Sequence, residues 1–256
     1  MQRTEPANPR LYDDLVGLWP FVSPPENYVE EVATFRRRLD RHGVSAGARI
    51  LHLGSGGGSI DFHLKQGYRV TGVDISAAML AHSASINPEV EYVQGDMRSV
   101  RLGRTFDAVL VHDAVSYMTS VEDLERVYRT AAAHLAPGGL LIALPEELRS
   151  RLAPDEPEVD THRVGDRVVT VIEFDYDEDP SDHEFETVFV FVIREQGRVR
   201  VELDRHRGGV FDLEDFLGAI ERAGFDARAE PWELSDWTPG REMPLITAIR
   251  RDAEVP

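Results

Sequence analysis

The sequence predicts an α/β protein with a doubly wound, mostly parallel central sheet. Short apolar strands alternate with amphipathic helices over residues 49–144, which is the pattern of successive strand–helix–strand units. The run 106–112 is almost entirely apolar, as expected of a strand buried on both faces. A glycine cluster at 54–58 follows the first strand directly, where a chain turns from strand to helix.

Each element of the core is predicted from its own pattern. Helical pieces at 9–19 and 25–41 come first, because apolar residues recur there at helical spacing. The core strands are predicted at 49–53, 68–73, 91–94, 106–112 and 140–144. The helices between them are predicted at 60–66, 76–86 and 121–135, the last ending at the Pro-Gly-Gly sequence 137–139.

The pattern changes after residue 145 to long runs of alternating polar and apolar residues. These runs, at 167–177, 184–195 and 198–207, predict an antiparallel meander. A helix at 213–223 and strands at 225–232 and 245–250 then return to the core. The chain is therefore divided into an N-terminal helical lid (1–45), a core (46–145), an antiparallel β insertion (146–211) and a C-terminal completion of the core (212–256).

The composition favours a small-molecule partner. The 256 residues include 46 acidic and 28 basic side chains and carry a net charge of -18, which would repel nucleic acids and anionic membranes. No apolar run approaches the ~20 residues of a spanning helix, and the first residues lack the apolar segment of a signal peptide. The absence of cysteine excludes disulfides and thiolate chemistry. We expect a cytoplasmic protein without a nucleic-acid, membrane or metal partner.

Two features predict a site for an adenosine-containing ligand. Gly54 and Gly56 allow a tight turn and close approach of the backbone, and the helix that follows offers free N–H groups. Asp74 ends the second strand 20 residues after Gly54, where it can accept hydrogen bonds from both ribose hydroxyls. Dinucleotides and S-adenosylmethionine share this arrangement. The dinucleotide motif has a further glycine where this chain has Ser59, which disfavours NAD.

The segment 94–98 adds an acid just after the third strand. Asp96 can accept a hydrogen bond from an adenine amino group, and Met97 can cover the ring. Together with the segments 53–56, 73–80, 106–109 and 135–144, it resembles the class I S-adenosylmethionine-dependent methyltransferases. The overall layout is similar to the natural-product branch of that family and, distantly, to amino-sugar N-methyltransferases.

The resemblance implies a Rossmann-like fold and a methyltransferase that uses S-adenosylmethionine and releases S-adenosylhomocysteine. Its acceptor would be the O, N or C atom of a small-molecule metabolite. The residues implied to bind the cofactor are Tyr12, Gly54, Ser55, Gly56, Asp74, Ile75, Met79, Asp96, Met97 and His112.

The expected catalytic residues follow the fourth strand. Methyl transfer depends on alignment of the reacting atoms, and a base is needed only when the acceptor starts protonated. His112 can take that proton or can simply pack against the donor, and both interpretations stay open. Asp113 can act as a base or pair with a cationic acceptor. Tyr117 lies near the position where the amino-sugar enzymes carry a histidine.

Residues from the lid and the meander are expected to bind the acceptor. Trp19 and Tyr28, together with Tyr12, can shield the sulfonium with their rings or can belong to the core. Tyr117 is expected to contact the acceptor as well. His206 and Arg207, at the end of the meander, are expected to point at the same opening, or to be a solvated strand end.

One residue departs from the family's pattern. The family usually has an acid two residues before the first glycine, where it helps hold the donor's amino group, but this chain has His52. His52 is a substitute for that acid or a tolerated strand-end residue. A non-catalytic protein that binds S-adenosylmethionine or S-adenosylhomocysteine is therefore an alternative function, and an NAD-dependent oxidoreductase is another. The edges of the meander also predict a homodimer.

Overall fold

The computed structural model describes residues 9–145, 147–152, 157–232 and 243–252. The other parts of the predicted lid, insertion and C-terminal segment lie outside the described residues. Every residue predicted for the site falls within the described ranges. In those ranges, no helix has the length and apolar character needed to cross a membrane.

The N-terminal segment is a series of short helices that leads into one long helix. Its 3₁₀ helices are Arg10–Tyr12, Val16–Leu18 and Pro25–Tyr28, and its α-helices are α1 (Trp19–Val22) and α2 (Val29–Arg41). The single helical piece predicted at 9–19 is wrong, because the segment forms two 3₁₀ turns there. Gly17 disfavours a continuous helix, and Pro20 is accommodated only in the first turn of α1.

The remaining elements form two sheets and four helices. The strands of the first sheet are β1 (Arg49–Leu53), β2 (Arg69–Asp74), β3 (Glu91–Gln94), β4 (Phe106–Val111), β5 (Leu135–Ala143), β10 (Phe225–Trp232) and β11 (Met243–Arg250). Those of the second sheet are β6 (Glu158–Val164), β7 (Arg167–Tyr176), β8 (Glu184–Glu195) and β9 (Arg198–Gly209). The helices are α3 (Ser59–Leu64), α4 (Ala77–Ile86), α5 (Val121–Ala133) and α6 (Leu213–Arg222), and a 3₁₀ helix spans Asp113–Tyr117.

The seven-stranded sheet has the order β3-β2-β1-β4-β5-β11-β10, and β11 runs antiparallel to its neighbours β5 and β10. This sheet confirms the predicted doubly wound fold. The Pro-Gly-Gly sequence 137–139, predicted as a helix stop, lies within β5. The pairing of β4 with β5 shifts register between Phe106 and Ala108, and this irregularity accommodates the segment.

The second sheet is an antiparallel meander in the order β6-β7-β8-β9. The sequence predicted three of its strands but missed β6. Every residue of β6 is exposed except His162, so the strand lacks the alternation that marks a half-buried strand.

A cluster of buried apolar residues joins the N-terminal segment to the second sheet. Leu11, Leu18 and Phe21 pack against Val169 and Phe191 of β7 and β8. Each such side chain contributes about 1.5–3 kcal/mol to stability when fully buried. The segment predicted as a lid is therefore packed against the β insertion.

Candidate functional site

A cavity of about 290 Å³ lies beyond the carboxyl ends of β1, β2 and β4. This volume is near the lower end of the ~300–1,000 Å³ typical of small-molecule sites. The predicted site residues that line it are Tyr12, Trp19, Tyr28, Gly54, Ser55, Gly56, Asp74, Ile75, Met79, Asp96, Met97, His112, Asp113 and Tyr117. Among the predicted site residues, His206 and Arg207 do not line the cavity. The structure thus brings the donor and acceptor residues of the sequence analysis to one place.

The glycine loop is held tightly against the end of β2. The backbone N–H groups of Gly54 and Ser55 both donate to the carbonyl oxygen of Val73, at 2.8 and 2.9 Å. Gly54 has a φ of +75°, and a Cβ there would collide with the Cβ of Ala114. Only glycine satisfies both constraints, and its bare backbone leaves room for a ligand to approach closely.

Asp74 lies between the glycine loop and α4. One carboxylate oxygen accepts the N–H of Gly56 at 2.9 Å, and the other accepts the N–H of Ser76 at 2.8 Å. Burial raises the pKa of Asp74, and these backbone hydrogen bonds oppose that rise. Each oxygen keeps further lone pairs, so the carboxylate is positioned to accept from two adjacent hydroxyl groups.

Asp96 is held by a neighbouring arginine. Arg98 donates to both carboxylate oxygens of Asp96, at 2.7–3.0 Å, and reaches Asp123 at 2.8 Å. These hydrogen bonds lower the pKa of Asp96. The anionic carboxylate is therefore available as an acceptor at the edge of the cavity.

His52 is hydrogen-bonded to a buried acid that the sequence analysis missed. His52 is 1% exposed, and its Nδ1 lies 2.7 Å from the carboxylate of Asp61 in α3. Asp61 also accepts the hydroxyl of Tyr92 at 3.1 Å. The Nε2 atom of His52 is buried without a hydrogen-bond partner among the described residues, although the side chain lines the cavity. Position 52 therefore lacks the family's acid, but Asp61 supplies a carboxylate on the far side of the imidazole.

His112 is also paired with a buried acid. Its Nε2 lies 3.0 Å from the carboxylate of Glu31 in α2, and both side chains are buried. The sequence carries a weak signal for Glu31, which shares one face of α2 with the buried residues Phe35 and Leu39. The acid fixes the orientation of the imidazole in the cavity wall.

The side chains of His206 and Arg207, the two predicted site residues on β9, point in opposite directions. His206 faces inward, and its Nδ1 lies 2.7 Å from the hydroxyl of Tyr117. Arg207 faces outward and forms an ion pair with Glu184. The difference follows from the alternation of side chains along a strand. The position of Arg207 does not support the prediction that it contacts the acceptor, whereas His206 is one residue behind the cavity wall.

Carboxylates on β7, after β5 and after β4 lie close enough together to raise one another's pKa values. Burial and the neighbouring acids raise the pKa of Glu173 to about 8 and that of Glu147 to about 7. Burial also raises the pKa values of Asp113 and Asp175. The fold therefore favours the protonated, uncharged forms of these carboxyl groups, and near neutral pH Glu173 mainly keeps its proton.

This arrangement predicts a pH-dependent stability. The pKa of Glu173 is about 8 in the folded protein and ~4.3 when unfolded, so the folded state holds more protons between these values. The free energy of unfolding should therefore fall as the pH rises from about 5 to 8. Urea titrations should show a weaker fall for Glu173→Gln, while Glu221→Gln on α6 serves as the control. The same slope in Glu173→Gln as in the wild type would contradict the assignment.

The fold and the cavity together define a class of protein. A doubly wound sheet with a glycine loop after β1 and an acid at the end of β2 binds an adenosyl group at the carboxyl ends of its strands. The family described as a methyltransferase domain matches residues 50–139, which include the loop and both acids Asp74 and Asp96.

Whole-chain similarities extend this match. The chain is 32% identical to the cypemycin N-terminal methyltransferase of Streptomyces sp, over 64% of this chain and 69% of that protein. It is 26% identical to the dTDP-3-amino-3,6-dideoxy-alpha-D-glucopyranose N,N-dimethyltransferase of Streptomyces fradiae, over 80% of each. The SAM-bound structure of CalS10, an amino pentose methyltransferase from Micromonospora echinaspora, superimposes with a TM-score of 0.74 at 26% identity, covering 86% of this chain and 90% of that one.

The chain belongs to the family of class I S-adenosylmethionine-dependent methyltransferases. The family, the fold class and the type of enzyme predicted from the sequence are thereby confirmed. The individual site residues stay predictions, which the cavity supports by their placement.

Proposed function

We propose that this methyltransferase acts on the amino group of a small, sugar-like acceptor. The observation that carries the proposal is one cavity in which the glycine loop and Asp74 lie together with Tyr12, Asp113 and Tyr117. The named activities of the Streptomyces fradiae and Micromonospora relatives, which act on amino sugars, support nitrogen over oxygen or carbon.

The donor half fits S-adenosylmethionine on two observations. The backbone at Gly54 has no room for a Cβ, and the buried Nε2 of His52 lacks a partner in the described part of the chain. Asp74 would accept hydrogen bonds from the ribose hydroxyls, and Asp96 would accept one from the adenine amino group. His52 would accept a hydrogen bond from the ammonium group at the donor's amino-acid end. When bound, S-adenosylmethionine supplies an electrophilic methyl group on a sulfonium.

The acceptor half favours a cationic molecule. Asp113 and Tyr117 lie in the wall of the cavity, where a carboxyl group and a hydroxyl can bind an amino group. The ring of Tyr12, whose centroid lies 5.7 Å from that of Tyr117, adds an aromatic face that stabilises a nearby cation. The net charge of -18 supports a small-molecule acceptor rather than a nucleic acid.

Methylation of a matched pair of sugars tests this proposal. The purified protein is incubated with S-adenosylmethionine and dTDP-3-amino-3,6-dideoxy-α-D-glucose, or with dTDP-6-deoxy-α-D-glucose, which has a hydroxyl in place of the amine. Mass spectrometry should detect one or two added methyl groups on the amino sugar and none on dTDP-6-deoxy-α-D-glucose. Equal methylation of both, or methylation of neither, would contradict an amino-sugar acceptor.

We also propose a homodimer that forms through the second sheet. Its outer face exposes Val159 on β6 and Val199, Val201 and Leu203 on β9, each between 48% and 64% exposed. Apolar side chains in a row favour association. Sedimentation at high protein concentration should give the dimer mass, and Val201→Arg should shift it to the monomer. A wild-type monomer at every concentration would contradict the dimer.

The cytoplasmic location expected from the sequence stays a prediction.

A further inference from the structure

A continuous chain of hydrogen bonds leads from the cavity wall into the second sheet. The hydroxyl oxygens of Tyr12 and Tyr117 lie 2.7 Å apart, and both side chains line the cavity. The hydroxyl of Tyr117 lies 2.7 Å from Nδ1 of His206, and Nε2 of His206 lies 2.9 Å from the carboxylate of Asp204. Asp204 and His206 are two residues apart on β9, so their side chains lie on the same, inward face of the strand.

The acid at the end of this chain fixes the direction of every hydrogen bond. Burial alone would raise the pKa of Asp204, but hydrogen bonds from His206 and from backbone N–H groups, including that of Leu11 at 2.7 Å, lower it. The anionic carboxylate therefore accepts the Nε2–H of His206. This leaves the lone pair of Nδ1 to accept the hydroxyl hydrogen of Tyr117, and Tyr117 in turn accepts that of Tyr12.

The inner part of the chain is closed off from bulk solvent. His206 and Asp204 are each 4% exposed. The imidazole packs against the rings of Phe189 and Tyr12, with centroids 4.7 and 5.1 Å away. A proton that reaches His206 from the cavity therefore arrives through the hydroxyl of Tyr117.

We propose that Tyr117, His206 and Asp204 form a proton relay that removes a proton from the ammonium group of the acceptor. The inference rests on the proposed function, because an amine must be neutral before it can attack a methyl group. The ammonium N–H gives its proton to the oxygen of Tyr117, and Tyr117 gives its own hydroxyl proton to Nδ1 of His206. One proton passes from the acceptor to the imidazole, and the imidazolium is paired with Asp204.

The environment of Tyr117 explains why a relay is needed. Burial, followed by the influence of Tyr12 and nearby acids, raises the pKa of Tyr117 well above its ordinary value. A phenolate is therefore strongly disfavoured, so the hydroxyl must release one proton as it accepts another. In these terms Tyr117 is the catalytic residue, and His206 and Asp204 are positioning residues that act through it.

The titratable groups around His206 named here are three acids and two phenols. Those that face His206 and its tyrosines from the N-terminal segment, the 3₁₀ helix, β9 and β7 are Tyr12, Asp113, Tyr117, Asp204 and Glu173. Asp204, which contacts Nε2 of His206 at 2.9 Å, is the carboxylate that pairs with the imidazolium once the proton has arrived.

The pH dependence of turnover tests the relay. Methyl transfer to dTDP-3-amino-3,6-dideoxy-α-D-glucose is measured for the wild type, Tyr117→Phe and His206→Gln. Matched controls are Tyr176→Phe and His162→Gln, which alter a tyrosine and a histidine of the same sheet outside the cavity. At pH 7 we expect turnover to fall by roughly 10²–10⁴-fold in both relay variants and to stay near the wild-type value in the controls.

The shape of the profile separates proton transfer from a structural role. Without the relay, turnover depends on the neutral amine already present in solution, so it should rise about tenfold per pH unit above pH 7. The affinity for S-adenosylhomocysteine should be unchanged. A loss of the same factor at every pH, or an equal loss of affinity for S-adenosylhomocysteine, would overturn the relay.

Absence of methylation by the wild type would count only against the proposed acceptor. A spectroscopic measurement tests the relay independently of that result. Nitrogen NMR of histidine-labelled protein reports the tautomer of His206. We expect the neutral form with the proton on Nε2, and a changed Nδ1 shift in Tyr117→Phe. A proton on Nδ1 would place the donor on the wrong atom and overturn the relay.

Discussion

Replacing Asp74 with asparagine is expected to lower the affinity for S-adenosylhomocysteine by about 100-fold or more. Both carboxylate oxygens already accept backbone N–H groups, from Gly56 and Ser76. An amide group would turn its NH₂ toward one of these donors, which would move the glycine loop. The variant also loses hydrogen bonds of a charged acceptor to the ribose, worth ~1.5–3 kcal/mol each, and every 1.4 kcal/mol is about tenfold in affinity.

Calorimetric titration with S-adenosylhomocysteine measures this effect. Asp160→Asn is the matched control, because Asp160 is exposed on β6 and does not line the cavity. Thermal unfolding checks that each variant is folded. If Asp74→Asn bound the ligand as tightly as the wild type, the donor could not lie against the end of β2.

Replacing His112 with alanine is expected to lower both stability and donor affinity. His112 and Glu31 form a buried pair with 3.0 Å between Nε2 and the carboxylate. Removing one partner of a buried hydrogen bond costs about 1–3 kcal/mol, and more where the remaining group is charged, because that group is left unsatisfied. The imidazole also lines the cavity, so its loss enlarges the donor site.

Denaturant unfolding and titration with S-adenosylhomocysteine measure the two effects. Glu31→Gln is the companion variant, because it removes the charge and keeps the volume. The hypothesis that His112 is the general base predicts instead that His112→Ala loses turnover and keeps its stability and donor affinity. If His112→Ala lowered turnover by roughly two to four orders of magnitude with stability and donor affinity retained, His112 would be the base and the relay through Tyr117 would be contradicted.

The parallel core was predictable because its signals are local. β1 and β3 have the bounds predicted from their sequences, and β4 differs by one residue, since strands of a covered parallel sheet are short apolar runs. β6 was missed for the opposite reason: its side chains are nearly all exposed, and its position is set by pairing with β7. The helical piece at 9–19 was mispredicted because its apolar spacing is helical, whereas Gly17 disfavours a continuous helix there.

Some residues of the candidate site could be predicted from local motifs, and others could not. The glycine loop, Asp74 and Asp96 belong to short motifs at strand ends, so the sequence could indicate them. Glu31 acts through His112, 81 positions away in the chain, and His206 acts through Tyr117, 89 positions away. Only the folded chain brings such pairs together. The spacing of Asp204 and His206, two residues apart on a strand, is the one signal that could have shown their shared face.

The most direct test of the account is a calorimetric titration of the purified protein with S-adenosylmethionine and S-adenosylhomocysteine, with NADH as the control. The account predicts micromolar binding of the first two ligands and none of NADH, because the loop and His52 are shaped for a donor without a pyrophosphate. Failure of a folded protein to bind S-adenosylmethionine or S-adenosylhomocysteine would contradict the assignment of the cavity and make His52 the first residue to examine. Binding of NADH in their place would contradict it equally.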